Sequence, residues 1–383
     1  MFRCVTEITI KQLANNRSSV FFIDFVHEFE CDNSWEDLTN KAKVTFPKNI
    51  YVRDSNNNLI SLSGTQKDKR IGELFQRGDS IDISFGYYRF ENGAEIKDVA
   101  KIYSGYISRV NSKIPIELEC EDNMWLLKQI PCTPQVWAKT KTVEDLLRSL
   151  LKGTNFTVNA LTKTTVGDLI IQDESVGQLL LRLRKEFHLE SYFQGNELRI
   201  GSVVYIDKEA NDFNFVFQQN IISDELIYRR KDDVKLSAIC QSINTVEDSA
   251  KNKKGQTKTK KERLEVLVYN DAQGNFKYIE KKKDVAFPAN DEGERRTLFF
   301  PNVTSAKTLA DYGIDELKKY YYDGFKGKFT TFGIPYVKLG DNAVLSDRVL
   351  TDRNGKYRVK SVNYKGGING HRQTISLHYK LAS

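Results

Sequence analysis

The sequence lacks the features that would assign it to a membrane, disulfide-rich or zinc-binding class. No apolar run approaches the ~20 residues that span a bilayer, and the first residues, MFRCVTEITIKQL, contain no apolar signal-peptide core. The five cysteines are scattered without a CxxC pair, at positions 4, 31, 120, 132 and 240. We therefore expect no disulfide framework, no cysteine-rich zinc site and synthesis in a reducing compartment.

Motifs of the common enzyme classes are also missing. The sequence contains no P-loop, no G-x-G-x-x-G fingerprint, no H-E-x-x-H, no G-x-S-x-G and no EF-hand loop. Of its four histidines, His371 and His378 lie on or beside the last predicted strand, where seven residues place them ~23 Å apart on opposite faces. They cannot share a metal ion. We therefore predict no catalytic, metal-binding or cofactor-binding residues and a protein that is not an enzyme.

Acidic residues alternate along one predicted strand and end in an adjacent pair: Glu117, Glu119, Glu121 and Asp122. Paired carboxylates can act as acid and base in glycoside hydrolysis. Acidic residues at every second position of a strand are more often its solvated face, because neighbouring like charges are tolerated mainly in water. We therefore interpret this run as a solvated face.

The net charge of +7, from 58 Lys and Arg against 51 Asp and Glu, is mild for 383 residues. A dedicated nucleic-acid binder usually has a larger and more clustered surplus of Lys and Arg. One segment, Ser249–Arg263, is strongly basic through Lys251, Lys253, Lys254, Lys258, Lys260, Lys261 and Arg263. This basic segment is either a phosphate-contacting arm or a solvated loop between strands. No aromatic residue interleaves the lysines, so base stacking is unsupported, and we favour the loop.

Most of the sequence has the two-residue period of β-strands. Val20–Phe29 is β-branched and aromatic, and Ser80–Phe85, Ile114–Glu121 and Gln373–Leu381 alternate apolar with polar residues. Such alternation is typical of antiparallel sheets with one buried and one solvated face. Turn residues such as DSNNN, RGD and ENG separate the strands, and this pattern favours a small barrel or sandwich.

Helical patterns interrupt the β character. A capping box at Thr142–Asp145 precedes a leucine-rich stripe, and Ser175 with Gln178 begins a second helix. A hairpin with a QGN turn follows at Glu190–Ile200, so residues from about 140 to 202 read as a small α+β unit. One more helix is predicted after Ser305.

Several stretches have distinctive residue orders. They are FECDNSWEDLTNKAKVTFP at Phe29–Pro47, FQRGDSIDISF at Phe75–Phe85, YSGYISR at Tyr103–Arg109, LECEDNMWLLK at Leu118–Lys128, FGIPYVKLGD at Phe332–Asp341, GKYRVKSV at Gly355–Val362 and GINGHRQTISL at Gly367–Leu377. In this order and spacing they resemble baseplate hub proteins of contractile-tailed phages, the late-control gene D or Mu-type tail hub family. The middle of the chain matches only loosely.

The resemblance implies a mainly β fold with an α+β insert. It predicts two related β-barrel domains, a small α+β domain and one further helix. The expected domains are a first hub barrel at 1–125, the α+β domain at 126–205 and a second hub barrel at 206–383. We expect the second barrel to carry an insertion at about 249–330, which includes the basic segment and the helix.

The resemblance also implies an assembly. Three chains would form a ring that adapts a six-fold tail tube to a three-fold central spike and encloses the DNA channel. The implied partners are two further copies, the tail tube protein, the spike protein and other baseplate proteins, with DNA passing transiently and without specific binding. The implied location is the virion baseplate, after synthesis in the bacterial host cytoplasm.

Two ladders of opposite charge occur on different predicted strands. The basic ladder is Lys356, Arg358 and Lys360, and the acidic ladder is Glu117, Glu119 and Glu121. Such ladders can align strands across a subunit boundary, although each exposed pair contributes only ~0.2–1 kcal/mol. An acidic ladder could equally line a DNA channel and keep phosphates from adhering. These six residues are candidates for the subunit interface or the lumen.

Three alternatives remain open. The same fold could serve in a secretion or extracellular injection apparatus. A carbohydrate-active or carbohydrate-binding protein would need paired acids and exposed tryptophans, whereas Trp35, Trp125 and Trp137 lie in apolar contexts that favour packing. A nucleic-acid-binding module would depend on the basic segment.

Overall fold

The structure, a computed structural model, describes the chain in segments separated by short gaps. The described residues are 2–47, 49–63, 74–111, 115–138, 141–160, 164–166, 169–201, 210–251, 257–271, 274–282, 285–289, 293–300, 303–351 and 354–381. Strands predominate, which confirms the mainly β fold. No helix in these ranges is both long and apolar enough to cross a bilayer.

The described residues of the first part of the chain form nine strands. They are β1 (Phe2–Lys11), β2 (Val20–Ile23), β3 (Glu28–Ser34), β4 (Lys41–Phe46), β5 (Asn49–Asp54), β6 (Leu59–Ser63), β7 (Ser80–Glu91), β8 (Ala94–Asn111) and β9 (Ile116–Glu121). The middle part is mixed: α1 (Met124–Leu127), β10 (Gln135–Trp137), α2 (Val143–Leu150), β11 (Thr157–Ala160), β12 (Leu169–Ile171), α3 (Val176–Phe187), β13 (Glu190–Gln194) and β14 (Glu197–Gly201).

The last part returns to strands, with one helix. Its elements are β15 (Asp212–Val216), β16 (Ile221–Arg229), β17 (Leu236–Lys251), β18 (Thr257–Asn270), β19 (Phe276–Glu280), β20 (Glu294–Phe299), α4 (Ala306–Lys318), β21 (Gly324–Phe332), β22 (Asn342–Ser346), β23 (Gly355–Gly367) and β24 (Arg372–Lys380).

Strands from both ends of the chain form one fifteen-stranded sheet. Its order is β16-β21-β24-β23-β3-β4-β9-β8-β7-β1-β2-β5-β6, and β22 and β15 branch from β23. The two β regions meet where β23 pairs antiparallel with β3, from Ser361 opposite Ser34 to Gly367 opposite Glu28. Because β3 is already bonded to β4 on its other edge, it has no edge left to close a barrel. Among the described strands neither β region forms a closed barrel.

A shared core reinforces this junction. The Phe85 ring lies 5.9 Å from Phe29, 5.6 Å from Tyr364 and 4.9 Å from His371, measured between ring centroids. Phe29, Phe85 and Tyr364 come from the first and last parts of the chain and belong to a single buried cluster around β1–β9 and β21–β24, and His371 is buried beside them. The two β regions therefore share one interior, and the domain limits at 125 and 205 stay predictions.

The predicted helices of the α+β unit are present with their predicted caps. The Thr142 hydroxyl accepts a hydrogen bond from the Asp145 amide at 3.1 Å, and the Asp145 carboxylate accepts one from the Thr142 amide. Ser175 and Gln178 form the same reciprocal pair at the start of α3. The helices pack on β11–β14 around a core separate from that of the large sheet. The helix predicted after Ser305 is α4.

Two local predictions were wrong. Val20–Phe29 is two strands rather than one, since β2 pairs with β1 and β5 while β3 pairs with β4 and β23. The chain turns between these neighbours, and Phe25 is 56% exposed. The basic segment is not a solvated loop throughout, because β17 and β18 pair as one long hairpin up to Lys251 opposite Thr257. Residues 252–256 lie outside the described residues.

The hairpin belongs to a second, four-stranded sheet of order β19-β18-β17-β20. Helix α4 packs across β17 and β18 so closely that a Cβ on Gly313 would lie 2.2 Å from the Cys240 sulfur. This sheet has its own apolar cluster with α4. The four-stranded sheet therefore includes residues from Leu236 onwards, ahead of the expected start of the insertion at about 249, and the insertion itself stays a prediction.

The turn after β3 contacts three parts of the molecule. Trp35 is 3% exposed and packs against Tyr192 of the α+β unit and Leu339 of the last β region. Its ring lies 5.3 Å from that of His378 on β24. Leu38, at the end of the same turn, enters the core of the α+β unit. The turn therefore fixes the α+β unit against the large sheet.

Replacing Trp35 with Ala should lower the free energy of unfolding by about 3–5 kcal/mol, because it empties a buried site shared by three regions. Urea denaturation followed by circular dichroism measures this loss. Tyr51→Ala removes an aromatic ring that is 65% exposed and should change stability by no more than ~0.5 kcal/mol. Equal effects of the two substitutions would contradict the assigned role of Trp35.

Two histidines at or on β24 pack against aromatic rings, His371 fully buried and His378 half-buried. The His371 ring lies 5.4 Å from Tyr87, and its Nε2 is 3.2 Å from the Thr6 hydroxyl. His378 Nε2 is 3.0 Å from the Tyr320 hydroxyl. Burial lowers the pKa of His371 to about 4 and that of His378 to about 3.

These lowered pKa values predict a loss of stability in acid. An imidazole with a lower pKa in the folded chain stabilises the fold above the unfolded value near 6.5, and this contribution is lost as the pH falls. As the pH falls from 6 to 4, the free energy of unfolding of the wild type should therefore drop relative to that of His378→Phe by about 1.4 kcal/mol per pH unit. Urea titrations at each pH measure it, and every other titrating group is common to both proteins. A difference independent of pH would refute the burial argument.

Candidate functional site

The most extensive polar feature of the structure is one face of the large sheet. In strands β24, β23, β3, β4, β9 and β8, alternate side chains enter the core, among them Cys31, Val44, Leu118 and Tyr364. The intervening side chains are polar and lie on the opposite face. We call this surface the polar face.

Charges alternate in sign across the centre of the polar face. The strand registers place five side chains of alternating sign in one row, in the order Lys365, Glu30, Lys43, Glu119 and Arg109. Arg372 continues the row beyond Lys365 with a second positive charge. The Lys365 ammonium is 2.9 Å from a Glu30 carboxylate oxygen, and Arg109 contacts Glu119 directly. Between β23 and β8, each carboxylate in the row therefore has a cation beside it.

The acidic ladder lies on this face, on β9. Each of its carboxylates forms an ion pair within the chain: Glu117 with Lys43 at 2.9 Å, Glu119 with Arg109, and Glu121 with Lys128 at 2.6 Å. The expected acidic lining is thus matched locally by an equal number of cations. This surface presents little net charge to a polyanion.

Asp122 does not join the ladder. Its side chain is buried and accepts hydrogen bonds from the backbone amides of Met124 at 3.0 Å and Asn40 at 3.1 Å. Burial raises the pKa of Asp122 to about 7. The carboxylate therefore fixes the first turn of α1, and the structure does not assemble it with the glutamates into an acid/base pair.

The basic ladder is interrupted. Register shifts on both sides of Val359 break the alternation of β23, and Arg358 is 9% exposed with its guanidinium donating to the Gly340 carbonyl. Lys356 pairs with Asp212 at 2.7 Å and Lys360 with Glu36 at 3.3 Å. The expectation of three cations on one face was wrong, because a bulge shifts the pleat.

The two ladders do not meet within one chain, since β3 and β4 lie between β23 and β9. Their assignment to a subunit interface or to the lumen stays a prediction. The basic segment is described only in part. Arg263 is exposed on β18, whereas Lys253 and Lys254 and the side chains of Lys251, Lys258, Lys260 and Lys261 lie outside the described residues.

Asp79, which sequence analysis treated only as part of a turn, holds several segments together. It is fully buried, and its carboxylate accepts hydrogen bonds from the amides of Leu13, Ala14 and Gln76 and from the Arg17 guanidinium, at 2.8–3.1 Å. The R-G-D motif is therefore structural. No local signal reveals this, because Arg17 is 62 residues away.

Groups of three or more side chains able to hold a metal ion are not found within the described ranges. Trp35 and Trp137 are buried, and Trp125 stacks on Tyr106 with ring centroids 5.4 Å apart. These tryptophans pack in the interior or on a neighbouring ring, which is unlike the exposed aromatic platform of a carbohydrate site.

Comparisons with known proteins identify the fold. No protein-family model matches the sequence, and no curated protein sequence matches it. The structure is similar to the 43 kDa tail protein of prophage MuSo2 from Shewanella oneidensis, with 13% identity, a TM-score of 0.53 and coverage of 97% of this chain and 98% of that chain. It is also similar to the tail protein from Neisseria meningitidis MC58, with 10% identity, a TM-score of 0.53 and coverage of 98% and 96%. The chain therefore has the fold of these tail proteins over almost its whole length.

Proposed function

We propose that this chain is a structural phage tail protein, a baseplate hub subunit, and not an enzyme. Three copies would form a ring that adapts the six-fold tail tube to the three-fold central spike. The observation that carries the proposal is the end-to-end fold match to two tail proteins. The ordered motifs that resemble the hub family support it, because they fall in the two β regions.

The topology suits a ring-forming subunit. Each chain contains two β regions joined edge to edge, so three chains would present six such regions around an axis. Among the described strands, β16 and β6 end the large sheet with one edge unpaired. Long unpaired edges promote uncontrolled aggregation unless they are covered. Head-to-tail contacts that close by rotation would cover them.

The polar face suits a channel that DNA crosses without binding. Free lysines and arginines attract phosphates because neutralising them releases counterions. On the acidic ladder, Lys43, Arg109 and Lys128 are each held by a carboxylate. A lining of such pairs would hold DNA weakly and let it pass.

The expected partners are the tail tube protein, the central spike protein and other baseplate proteins, in the baseplate of a virion assembled after synthesis in the bacterial cytoplasm. The same subunit in a secretion or extracellular contractile apparatus would need the same ring. The tail proteins of matching fold favour the virion.

The ring is tested by the molar mass in solution. Light scattering over increasing concentration, with electron microscopy of the same sample, should show three chains in a three-fold annulus with an open centre. Adding a central spike protein should stabilise the annulus at concentrations where the isolated chain does not assemble. A closed dimer, an open filament or a monomer under all these conditions would overturn the hub assignment.

The channel surface is tested by removing its negative charges. The combined change Glu117→Gln, Glu119→Gln and Glu121→Gln would free Lys43, Arg109 and Lys128, so affinity for duplex DNA should rise. The slope of log affinity against log salt should steepen by about 0.9 for each freed cation. Fluorescence anisotropy with a labelled duplex, over a range of NaCl concentrations, measures both.

The matched control changes the net charge equally at exposed positions away from the polar face, with Asp224→Asn, Asp311→Asn and Glu186→Gln. This control should leave the salt slope close to that of the wild type. If both triple variants gain the same affinity for DNA, net charge and not the paired surface governs DNA binding. That result would contradict the proposal that the polar face lines the channel.

A further inference from the structure

Strand β8 has an unpaired edge inside the molecule. It pairs with β7 along the stretch from Ala94 to Tyr106, but β9 pairs with it only between Tyr106 and Asn111. Over Ala94–Ser104 no described strand pairs with the second edge of β8. Two carbonyls on this stretch accept side-chain hydrogen bonds, Asp98 from Tyr336 at 2.6 Å and Ile102 from Asn33 at 3.4 Å. Backbone groups along such an edge are a template for another strand.

The open edge borders a cleft of about 840 Å³. Residues from Ala100 to Tyr106 form one side over a length of ~20 Å, since a strand rises ~3.3 Å per residue. The opposite walls are the tip of the β13–β14 hairpin at Gln194–Asn196 and the segment Tyr336–Leu339. A cleft of this length accommodates a strand of about five or six residues.

Side-chain hydrogen bonds hold the walls of this cleft in place. The Asn123 side chain donates to the Gly195 carbonyl at 2.8 Å, which holds the hairpin tip in place. The Tyr336 hydroxyl donates to the Asp98 carbonyl at 2.6 Å, which holds the other wall against β8. The cleft is therefore preformed, and a ligand would not have to order it.

The charges at the cleft favour an acidic ligand. Lys101 is paired with Asp82 at 3.2 Å, and Asp122 is buried with two backbone donors. Lys11 and Lys338 are exposed, line the cleft and form no ion pair with any described residue. Two cations at the rim are thus available to carboxylates of a ligand.

We propose that this cleft binds an extended acidic peptide of a partner protein, which adds as a strand to the open edge of β8. Main-chain hydrogen bonds would supply the affinity, and alternate side chains would supply the selectivity. Carboxylates on one side of the added strand would reach Lys11 and Lys338. The proposal stands independently of the ring, because neither a channel nor a trimer requires the cleft.

The test uses the full chain and two synthetic heptapeptides labelled with fluorescein at the N-terminus. One has the sequence Thr-Glu-Val-Glu-Val-Glu-Thr, and the other has Lys in place of each Glu. Fluorescence anisotropy should show the acidic peptide binding at least tenfold more tightly than the basic one. Hydrogen exchange should show new protection of β8 amides within Ala100–Ser104 when the acidic peptide binds.

Two variants locate the binding. Gln194→Trp, at an exposed position on the hairpin tip, should fill the cleft and abolish binding, whereas Gln129→Trp outside the cleft should not. Lys338→Glu should weaken the acidic peptide at least threefold and strengthen the basic one, whereas Lys326→Glu on β21 should do neither. Gln194 and Lys338 are exposed, so circular dichroism should show that neither substitution changes the fold.

Several outcomes would overturn the proposal. They are failure of the acidic peptide to bind at millimolar concentration, equal binding to Gln194→Trp, or binding without new protection in β8. If concentrated protein alone shows the same protection, and Gln194→Trp abolishes self-association in light scattering, the occupant is a second copy and not a partner peptide.

Discussion

The pairing of β3 with β23 is the contact on which the rest of the fold depends. It joins side chains as distant as Glu30 and Asn363, 333 residues apart in sequence, within one hydrogen-bonded ladder. Such a contact closes a very long loop, and it persists because the rings around Phe85 bury both regions together. Once this ladder forms, each β region has one strand edge paired with a strand of the other region. A single continuous sheet replaces two separate closed modules.

The polar face follows from the same junction. Because β24, β23, β3, β4 and β9 lie in one sheet, their solvated side chains become neighbours, and the registers place cations beside carboxylates. Each exposed pair contributes less than ~1 kcal/mol to stability. In the proposed channel their larger effect would be on binding, since a lysine held by a carboxylate attracts a phosphate less strongly. A surface built in this way contains many charged residues, and cations balance the carboxylates of its acidic ladder.

Sequence patterns predicted the elements better than their partners. Caps at Thr142 and Ser175 and the alternation in β9 and β24 are local signals, and each gave the right element. The break between β2 and β3 and the bulge that buries Arg358 depend on which strands become neighbours, and a single sequence does not contain that information. The ion pairs of the acidic ladder were missed for the same reason. Lys43 and Arg109 look like ordinary surface charges until the register places them beside Glu117 and Glu119.

Three residues within the motifs that carry the family resemblance have structural roles. Trp35 joins three regions, Asp79 ties the segment after β1 to the start of β7, and a Cβ on Gly105 would lie 2.2 Å from the Glu121 carbonyl where β8 passes β9. None of the three presents a reactive group to solvent. These three residues serve packing and close approach, and they therefore preserve the shape of the fold. That shape is the property shared with the two tail proteins of matching fold, whose sequences are 13% and 10% identical to this chain.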